Sequence, residues 1–383
     1  MYQMSDTDDE FVNNIVADLG SGNCHVGFAG DERPCSVFPT VLGRPKHREA
    51  SPEVGLFVGD EAQARREILA MTSPIERGIV TNWEDMEQLW QYIFTSVLRV
   101  SPEEFNVFNS EVSYVPGACR EMMLQLLMEK FNVLGYNAQL SGILAVMGYG
   151  HTNSLILECG DGVTEAFPVY EGHAFPDTIK RMEIGGKDVT MNLQKLMYEK
   201  GYSFTTYSEI DTIRRLKEDH CSVWPDSNTL DTATSSSMQL DTFTLPDGQQ
   251  ISIGEEKFKA PEILFRPSLR GYGFDEEGGV QDLVHASIQA CEADCRSNLY
   301  FNVLLSGGTT LLPGFKERLL KELSNKASCR VKVWADPARK YLVWIGGSIY
   351  ASLYVCQSKW ITRNDYHEFG PNIIHRKCQL SAC

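Results

Sequence analysis

Two glycine-bearing segments far apart in the chain carry residue types that could grip a polyphosphate. They are Leu19-Gly20-Ser21-Gly22, just after Asp18, and Cys159-Gly160-Asp161-Gly162, just after Glu158. A polyphosphate needs backbone N–H groups brought close to its oxygens, and glycine lets the main chain turn that tightly with no Cβ in the way. Two such turns facing each other make a clamp. Asp18 and Glu158 are hard oxygen ligands that would hold a Mg²⁺ through water while phosphates complete its shell. A lone turn of this kind reads as a plain hairpin. It is the combination of four glycine turns with flanking acids that points to a clamp.

The elements that must position these turns are legible as short runs of strand-forming residues. Asn14 to Asp18 and Cys24 to Phe28 flank the first turn, while Ser154 to Glu158 and Val163 to Tyr170 flank the second. Each unit reads strand, glycine turn, strand, and the recurrence suggests a duplicated architecture with two facing halves. Between them, Trp83 to Leu98 places Met86, Leu89, Trp90, Ile93, Phe94 and Val97 on one helical face, a pattern that Arg120 to Phe131 repeats. Helices are also expected over Lys187 to Lys200 and Ser208 to His220. On the latter, Arg214, Lys217 and Glu218 share a face at i, i+3, i+4, which taken alone reads as an exposed ion-paired surface.

Ser222 to Thr244 is a polar loop leading into the turn Leu245-Pro246-Asp247-Gly248. Further on, Tyr300 to Leu305 reads as a buried strand ending in Ser306-Gly307-Gly308-Thr309-Thr310, and Tyr341 to Gly347 as a last strand-and-turn. This alternation predicts an α/β fold of two sheet-and-helix lobes whose loops converge on one cleft.

Composition excludes several function classes. With 35 basic against 51 acidic residues, the net charge of −16 repels nucleic acid and anionic membranes, and no run of five or more Lys/Arg offers a local exception. The 11 cysteines are scattered, without paired CxxC motifs, and read as reduced, mostly buried thiols. Cys291 and Cys295 have helical spacing but lack the second ligand pair that zinc requires. No apolar run reaches the ~18 to 20 residues that span a bilayer, and the N-terminus lacks a signal pattern, so an intracellular, soluble protein is expected. Asp6, Asp8, Asp9 and Glu10 make the start of the chain either a solvated tail or a docking arm.

From about Asn14 to Cys378 the chain resembles the actin family. The resemblance is carried, in order, by Asp18-Leu19-Gly20-Ser21-Gly22, Gly27-Phe28-Ala29-Gly30-Asp31, Val58-Gly59-Asp60-Glu61-Ala62-Gln63 and Thr81-Asn82-Trp83-Glu84-Asp85-Met86. It continues through Gly160-Asp161-Gly162-Val163-Thr164, Ser306-Gly307-Gly308-Thr309-Thr310, Trp344-Ile345-Gly346-Gly347-Ser348 and His375-Arg376-Lys377-Cys378.

The resemblance implies the bilobed fold shared by actins, sugar kinases and heat-shock chaperones, with duplicated mixed-sheet domains and a central nucleotide cleft. It implies an outer lobe of residues 1–148 plus 342–383, with a small subdomain inserted at 40–73, and an inner lobe of 149–341 with an insertion at 185–275. ATP or ADP with Mg²⁺ (or Ca²⁺) would occupy the cleft. Phosphate contacts would fall on Ser21, Gly22, Asn23, Gly160, Asp161, Gly162 and Val163. The adenosine pocket would fall on Gly186, Arg214, Lys217, Glu218, Gly307, Gly308, Thr309 and Lys340, and the cation on Asp18 and Glu158.

Departures from the family pattern gather where hydrolysis would occur. His25 stands where the family has a lysine reaching the phosphates, so a permanent cation becomes a partly protonated group. Glu158 replaces an aspartate. Ser141 takes the place of the water-orienting glutamine, with Gln139 two residues earlier as a substitute if the helix start shifts. Glu165 replaces a histidine beside the attacking water. Unless protonated or turned away, it would repel the phosphate by roughly 3 kcal/mol at about 5 Å, although a carboxylate can also act as a base. Slow hydrolysis is therefore expected.

Assembly segments also differ. Lys46 to Phe57 carries Arg48, Glu49, Pro52 and Glu53, Arg270 to Val280 carries three consecutive acids, and the chain ends in Gln379-Leu380-Ser381-Ala382-Cys383. Three function classes follow. The first is a divergent cytoskeletal actin that self-associates or joins conventional actin and its binding proteins, in the cytoplasm or also the nucleus or axoneme. The second is a scaffold subunit of a dynein, dynactin-like or chromatin-remodelling complex. The third, a sugar kinase or chaperone ATPase, is disfavoured because the chain ends soon after the last motif. No direct nucleic-acid or membrane partner is expected.

Overall fold

The computed structural model describes residues 13–46, 55–226, 240–245, 248–271 and 278–378. The acidic N-terminal tail, Arg48, Glu49, Pro52 and Glu53, the acids Asp275 to Glu277, Pro246-Asp247 and the last five residues lie outside them. So does the middle of the Ser222 to Thr244 loop.

Two mixed sheets of similar topology organise the chain. The first runs in the order Ile361–Thr362, Gly135–Leu140, Asn106–Glu111, Asn14–Leu19, Asn23–Phe28, Ser36–Pro39. The second runs His173–Ala174, Thr164–Tyr170, Ser154–Cys159, Val303–Ser306, Val333–Trp334, with Lys180–Met182 also paired to Thr164–Tyr170. In each, the first hairpin strand lies antiparallel to its successor and parallel to a strand contributed later. The central strands are covered on both faces: Ile15, Val16 and Ala17, like Leu155, Ile156 and Leu157, are fully buried or nearly so. Continuous apolar runs of this kind are what doubly covered parallel strands require.

Helix starts follow local chemistry. Asn82 accepts from Asp85 N–H to open Trp83–Tyr92, and Thr206 forms a capping box with Glu209 at the start of Tyr207–His220. Both apolar helical stretches widen into π-helical turns at their ends, over Ile93–Leu98 and Leu126–Lys130. Six of the ten described cysteines are buried, in keeping with packing roles. Among the described residues, no helix is long and apolar enough to cross a membrane.

Two expectations need correction. Tyr300 and Phe301 close the helix Ala293–Phe301, so the strand begins only at Val303. Tyr341 to Gly347 is no strand: Leu342–Ser352 is a helix. A short apolar run fits either period, and here packing decides. This helix crosses Ser141–Gly148 in a shared core that reaches both sheets through Val16, Phe108, Ile156 and Leu304. Trp344 Nε1–H donates to Val16 O at 3.0 Å. The crossing is close because a Cβ on Gly346 would sit 1.8 Å from Leu144 O, and one on Gly148 would sit 2.6 Å from Leu342 O.

Gly346→Val should therefore force the two helices apart. It is expected to cost about 3 kcal/mol, the upper range for overpacking, read as a lowered midpoint in urea denaturation. Gly370→Ala has open space around it, but at φ 66 and ψ −167 the backbone strain alone should cost roughly 1 to 3 kcal/mol.

Candidate functional site

The two hairpin turns meet. Gly20 N–H donates to Asn23 O at 3.0 Å and Gly160 N–H donates to Val163 O at 3.0 Å, so both turns close with the same bond. A Cβ on Gly22 would lie 2.8 Å from Asp161 Cβ, and one on Gly162 would lie 2.7 Å from Ser21 Oγ and 2.9 Å from Arg77 Cα. Neither position tolerates a side chain without displacement. Left over are the N–H groups of Ser21, Gly22, Asp161, Gly162 and Val163, none of which donates to a protein acceptor among the described residues. Ser21, Gly22 and Asp161 are half-buried while Gly162 and Val163 are buried, and five donors without protein acceptors on two facing turns could receive the oxygens of an anion.

These turns line a cavity of about 440 Å³ together with Asn23, His25, Ser306 to Thr309 and Lys340. The third glycine turn folds directly onto the second hairpin: Gly307 has φ +88 and its Cα faces Cys159 O, where a Cβ would come within 2.3 Å. Thr309 Oγ1 donates to Gly160 O at 2.8 Å. Arg214, Lys217 and Glu218 also line the cavity. Arg214 grips both Glu218 oxygens at 3.0 and 3.1 Å, while Lys217 Nζ donates to Gly186 O at 3.0 Å. Gly186 itself stands just behind the wall. Burial raises the Asp161 pKa, against the pull of Lys217, Lys187 and Arg214.

The acids differ in their surroundings. Asp18 accepts from Ser110 Oγ at 2.6 Å and lies 2.9 Å from His25 Nδ1, its cross-strand neighbour. His25 thus engages a carboxylate at one ring nitrogen, and its Nε2 has no protein partner. Glu158 Oε2 is buried without a hydrogen bond. Burial, followed by the charges of Glu165 and Asp18, pushes its pKa up to about 8. An orphaned carboxylate oxygen facing a second carboxylate fits a hard divalent cation. Among the described residues no group of three or more ligating side chains gathers there, so phosphate and water would supply the remaining ligands.

Ser141 opens the Ser141–Gly148 helix, lines the cavity, and has no hydrogen bond at Oγ. Gln139 lies in the preceding strand and outside the cavity lining, with Oε1 accepting from Leu140 N–H at 2.9 Å. Glu165 stands opposite Glu158 in the second hairpin, as His25 stands opposite Asp18 in the first. Its oxygens accept from Ser113 Oγ, from Ser113 N–H at 3.2 Å and from Arg181 Nη1 at 3.3 Å. Burial raises its pKa while these donors oppose the rise. Its charge is thus paired within the protein, which reduces the repulsion expected from its sequence position.

Sequence reasoning missed Ser113, Arg181 and Arg77. Arg181 ties Glu165 to Ser113 O and Arg77 O, while Arg77 reaches Gly162 O. The sequence held only weak signals for them, namely an arginine before a glycine at Arg77-Gly78 and a charged pair at Lys180-Arg181.

Removing one partner of a buried ion pair strands the other. Arg181→Met should destabilise the protein by roughly 3 to 5 kcal/mol, and Glu165→Gln in the same chain should restore much of that loss. Denaturant midpoints of the two single variants and the double variant measure the coupling.

Among known protein families, the model described as Actin matches residues 9–379.

Proposed function

This chain belongs to the actin family, and from that premise we propose that it binds ATP or ADP with Mg²⁺ or Ca²⁺ in the cleft between its lobes. We further infer a divergent cytoskeletal subunit that forms or joins filaments and hydrolyses nucleotide slowly. The observation that carries the nucleotide reading is the set of five unspent backbone donors on two touching turns, beside Asp18 and Glu158.

In this reading the N–H groups of Ser21, Gly22, Asp161, Gly162 and Val163 receive phosphate oxygens. Asn23 and His25 flank them, while Gly186, Arg214, Lys217, Glu218, Gly307, Gly308, Thr309 and Lys340 shape the nucleoside end. Asp18 and Glu158 would hold the cation through water. When bound, such an ion supplies charge neutralisation across neighbouring phosphates. His25, being tied to Asp18, adds less fixed positive charge than a lysine would.

Weak hydrolysis is supported by three local facts. Ser141 offers a short hydroxyl where an attacking water would need to be held, and the Glu165 oxygens are engaged by Ser113 and Arg181. Gln139 faces a backbone amide of its own strand. Phosphoryl transfer relies on positioning and electrostatics, so these losses slow the step without abolishing binding.

A second reading, a scaffold subunit of a fixed dynein, dynactin-like or chromatin-remodelling complex, is favoured by the three consecutive acids Asp275 to Glu277 and by Pro52. Both fall in segments that resemble the family's subunit contacts, and buried like charges oppose self-assembly.

Calorimetry should detect ATP binding. Ligand at about 100 times Kd should add roughly 2.7 kcal/mol to folding stability, read as a raised melting temperature. No uptake at millimolar ATP would end the nucleotide reading. Single-turnover hydrolysis should run well below that of a conventional actin assayed alongside, and an equal rate would refute the slow-enzyme reading. Sedimentation after adding Mg²⁺ and salt separates a pelletable polymer from a scaffold that stays in the supernatant.

A further inference from the structure

Cys291 and Cys295 line no part of the cleft and lack the further ligands that zinc requires. They flank the corner between the helices Val280–Ala290 and Ala293–Phe301. Cys291 and Glu292 are extended, with ψ of 165 and 146, and separate the two helices. Cys295 lies in the first turn of the second helix, and there the two thiols meet in hydrogen-bonding contact.

Arg296 braces this corner. Its Nε donates to Cys291 O at 2.9 Å and its Nη2 to Gln289 O at 2.7 Å, while Nη1 reaches Gln289 Oε1 at 3.1 Å. One guanidinium thus ties the end of the first helix to the start of the second and keeps the sulfur atoms together.

Exposure divides their roles. Cys291 is 6% exposed and donates to Ser287 O at 3.4 Å, whereas Cys295 is half-buried and donates to Glu292 O at 3.1 Å. Burial pushes the Cys291 thiol up to about 11, so it stays protonated at neutral pH. A dissolved oxidant therefore meets Cys295 first, the more accessible sulfur.

We propose that Cys291 and Cys295 form an oxidisable dithiol, which a hydroperoxide converts to a disulfide that staples the corner between the two helices. Cys295 sulfur, releasing its proton, attacks one peroxide oxygen. The O–O bond breaks, and the other oxygen takes up a proton to leave as water or an alcohol, with Cys295 now a sulfenic acid. Cys291 sulfur then attacks Cys295 sulfur, the S–O bond breaks, and the hydroxyl departs with the Cys291 proton as water. The thiols together lose two electrons and two protons, and the peroxide gains them. Because the pair is already in contact, this second step is intramolecular and outruns attack by another peroxide.

The staple acts on the second sheet. Val280–Ala290 is anchored there by Ser287, whose Oγ donates to Thr178 O at 2.7 Å and to Ala166 O at 3.3 Å. Closing a short ring at the end of this helix restricts the unfolded chain more than the folded one. The site stands apart from the nucleotide reading and survives its failure.

The test treats the full chain with hydrogen peroxide, unfolds it in an alkylating reagent, and digests it with trypsin for mass spectrometry. Residues 271–296 form one tryptic peptide that contains these two cysteines and no other. After peroxide this peptide should be lighter than its reduced form by two hydrogens and carry no alkyl group, and dithiothreitol should reverse the change. In Cys291→Ser, Cys295 should instead give a sulfenic acid captured by dimedone. In Cys295→Ser, Cys291 should stay open to alkylation. Oxidised wild-type chain should melt roughly 2 to 4 °C above the reduced chain, a gain absent from both variants.

Full alkylation of both cysteines at a peroxide dose that oxidises the exposed Cys35 would overturn the proposal. A bond from either cysteine to another peptide, or a sulfinic acid at Cys295 in wild type, would do the same, since each means that Cys291 does not close the ring. An unchanged melting temperature in fully oxidised protein would remove the staple.

Discussion

Contact between two backbone turns is the constraint on which the rest of the structure depends. Gly22 against Asp161, and Gly162 against Ser21 and Arg77, leave no space for a Cβ. That closeness brings unspent N–H groups from two different sheets to one cavity. Holding it requires both sheets to keep a fixed relation, and the crossing of Ser141–Gly148 with Leu342–Ser352 provides one. Gly148 and Gly346 let the two helices approach to backbone distance, and Gly142 leaves room for the Phe167 ring of the second sheet. Dense packing transmits that geometry to the turns, because a well-filled interior resists small displacements.

The electrostatics of the cleft are built in matched pairs. Each hairpin presents an acid on its first strand and a titratable residue opposite it on the second, Asp18 with His25 and Glu158 with Glu165. In the first pair the two side chains satisfy each other. In the second, two acids stand opposite each other: Glu165 is bound by Ser113 and Arg181, while Glu158 Oε2 has no hydrogen-bond partner. The asymmetry makes Glu158, whose pKa burial and neighbouring acids push up to about 8, the group whose ionised form has most to gain from a cation.

Arginines join these elements across the cleft. Arg181 and Arg77 form a chain running from Glu165 through the Arg77 carbonyl to Gly162 O and Asp188. Planar, permanently charged guanidinium groups suit this task because several fixed donors meet several acceptors at once. The backbone of the second hairpin turn and the ion-pair network are therefore one mechanical unit.

Much of this was legible in the amino-acid order. The strand–glycine–strand pattern at Asp18 and Glu158, the helix periods at Trp83 and Arg120, and the long series of family motifs are local properties, set by dihedral freedom and by apolar spacing. The fate of Tyr341 to Gly347 was not legible, because an apolar run with two glycines suits a strand-turn as well as a helix, and only the closeness of Leu144 O explains its glycines. Nor could spacing reveal Arg77, whose partners at Gly162, Glu183 and Asp188 lie 85 to 111 positions away. The sequence by itself determined which segments turn and which run straight. Tertiary structure alone decided which carboxylate is paired and which is orphaned, because those depend on charges and donors that meet only after the two halves have closed on each other.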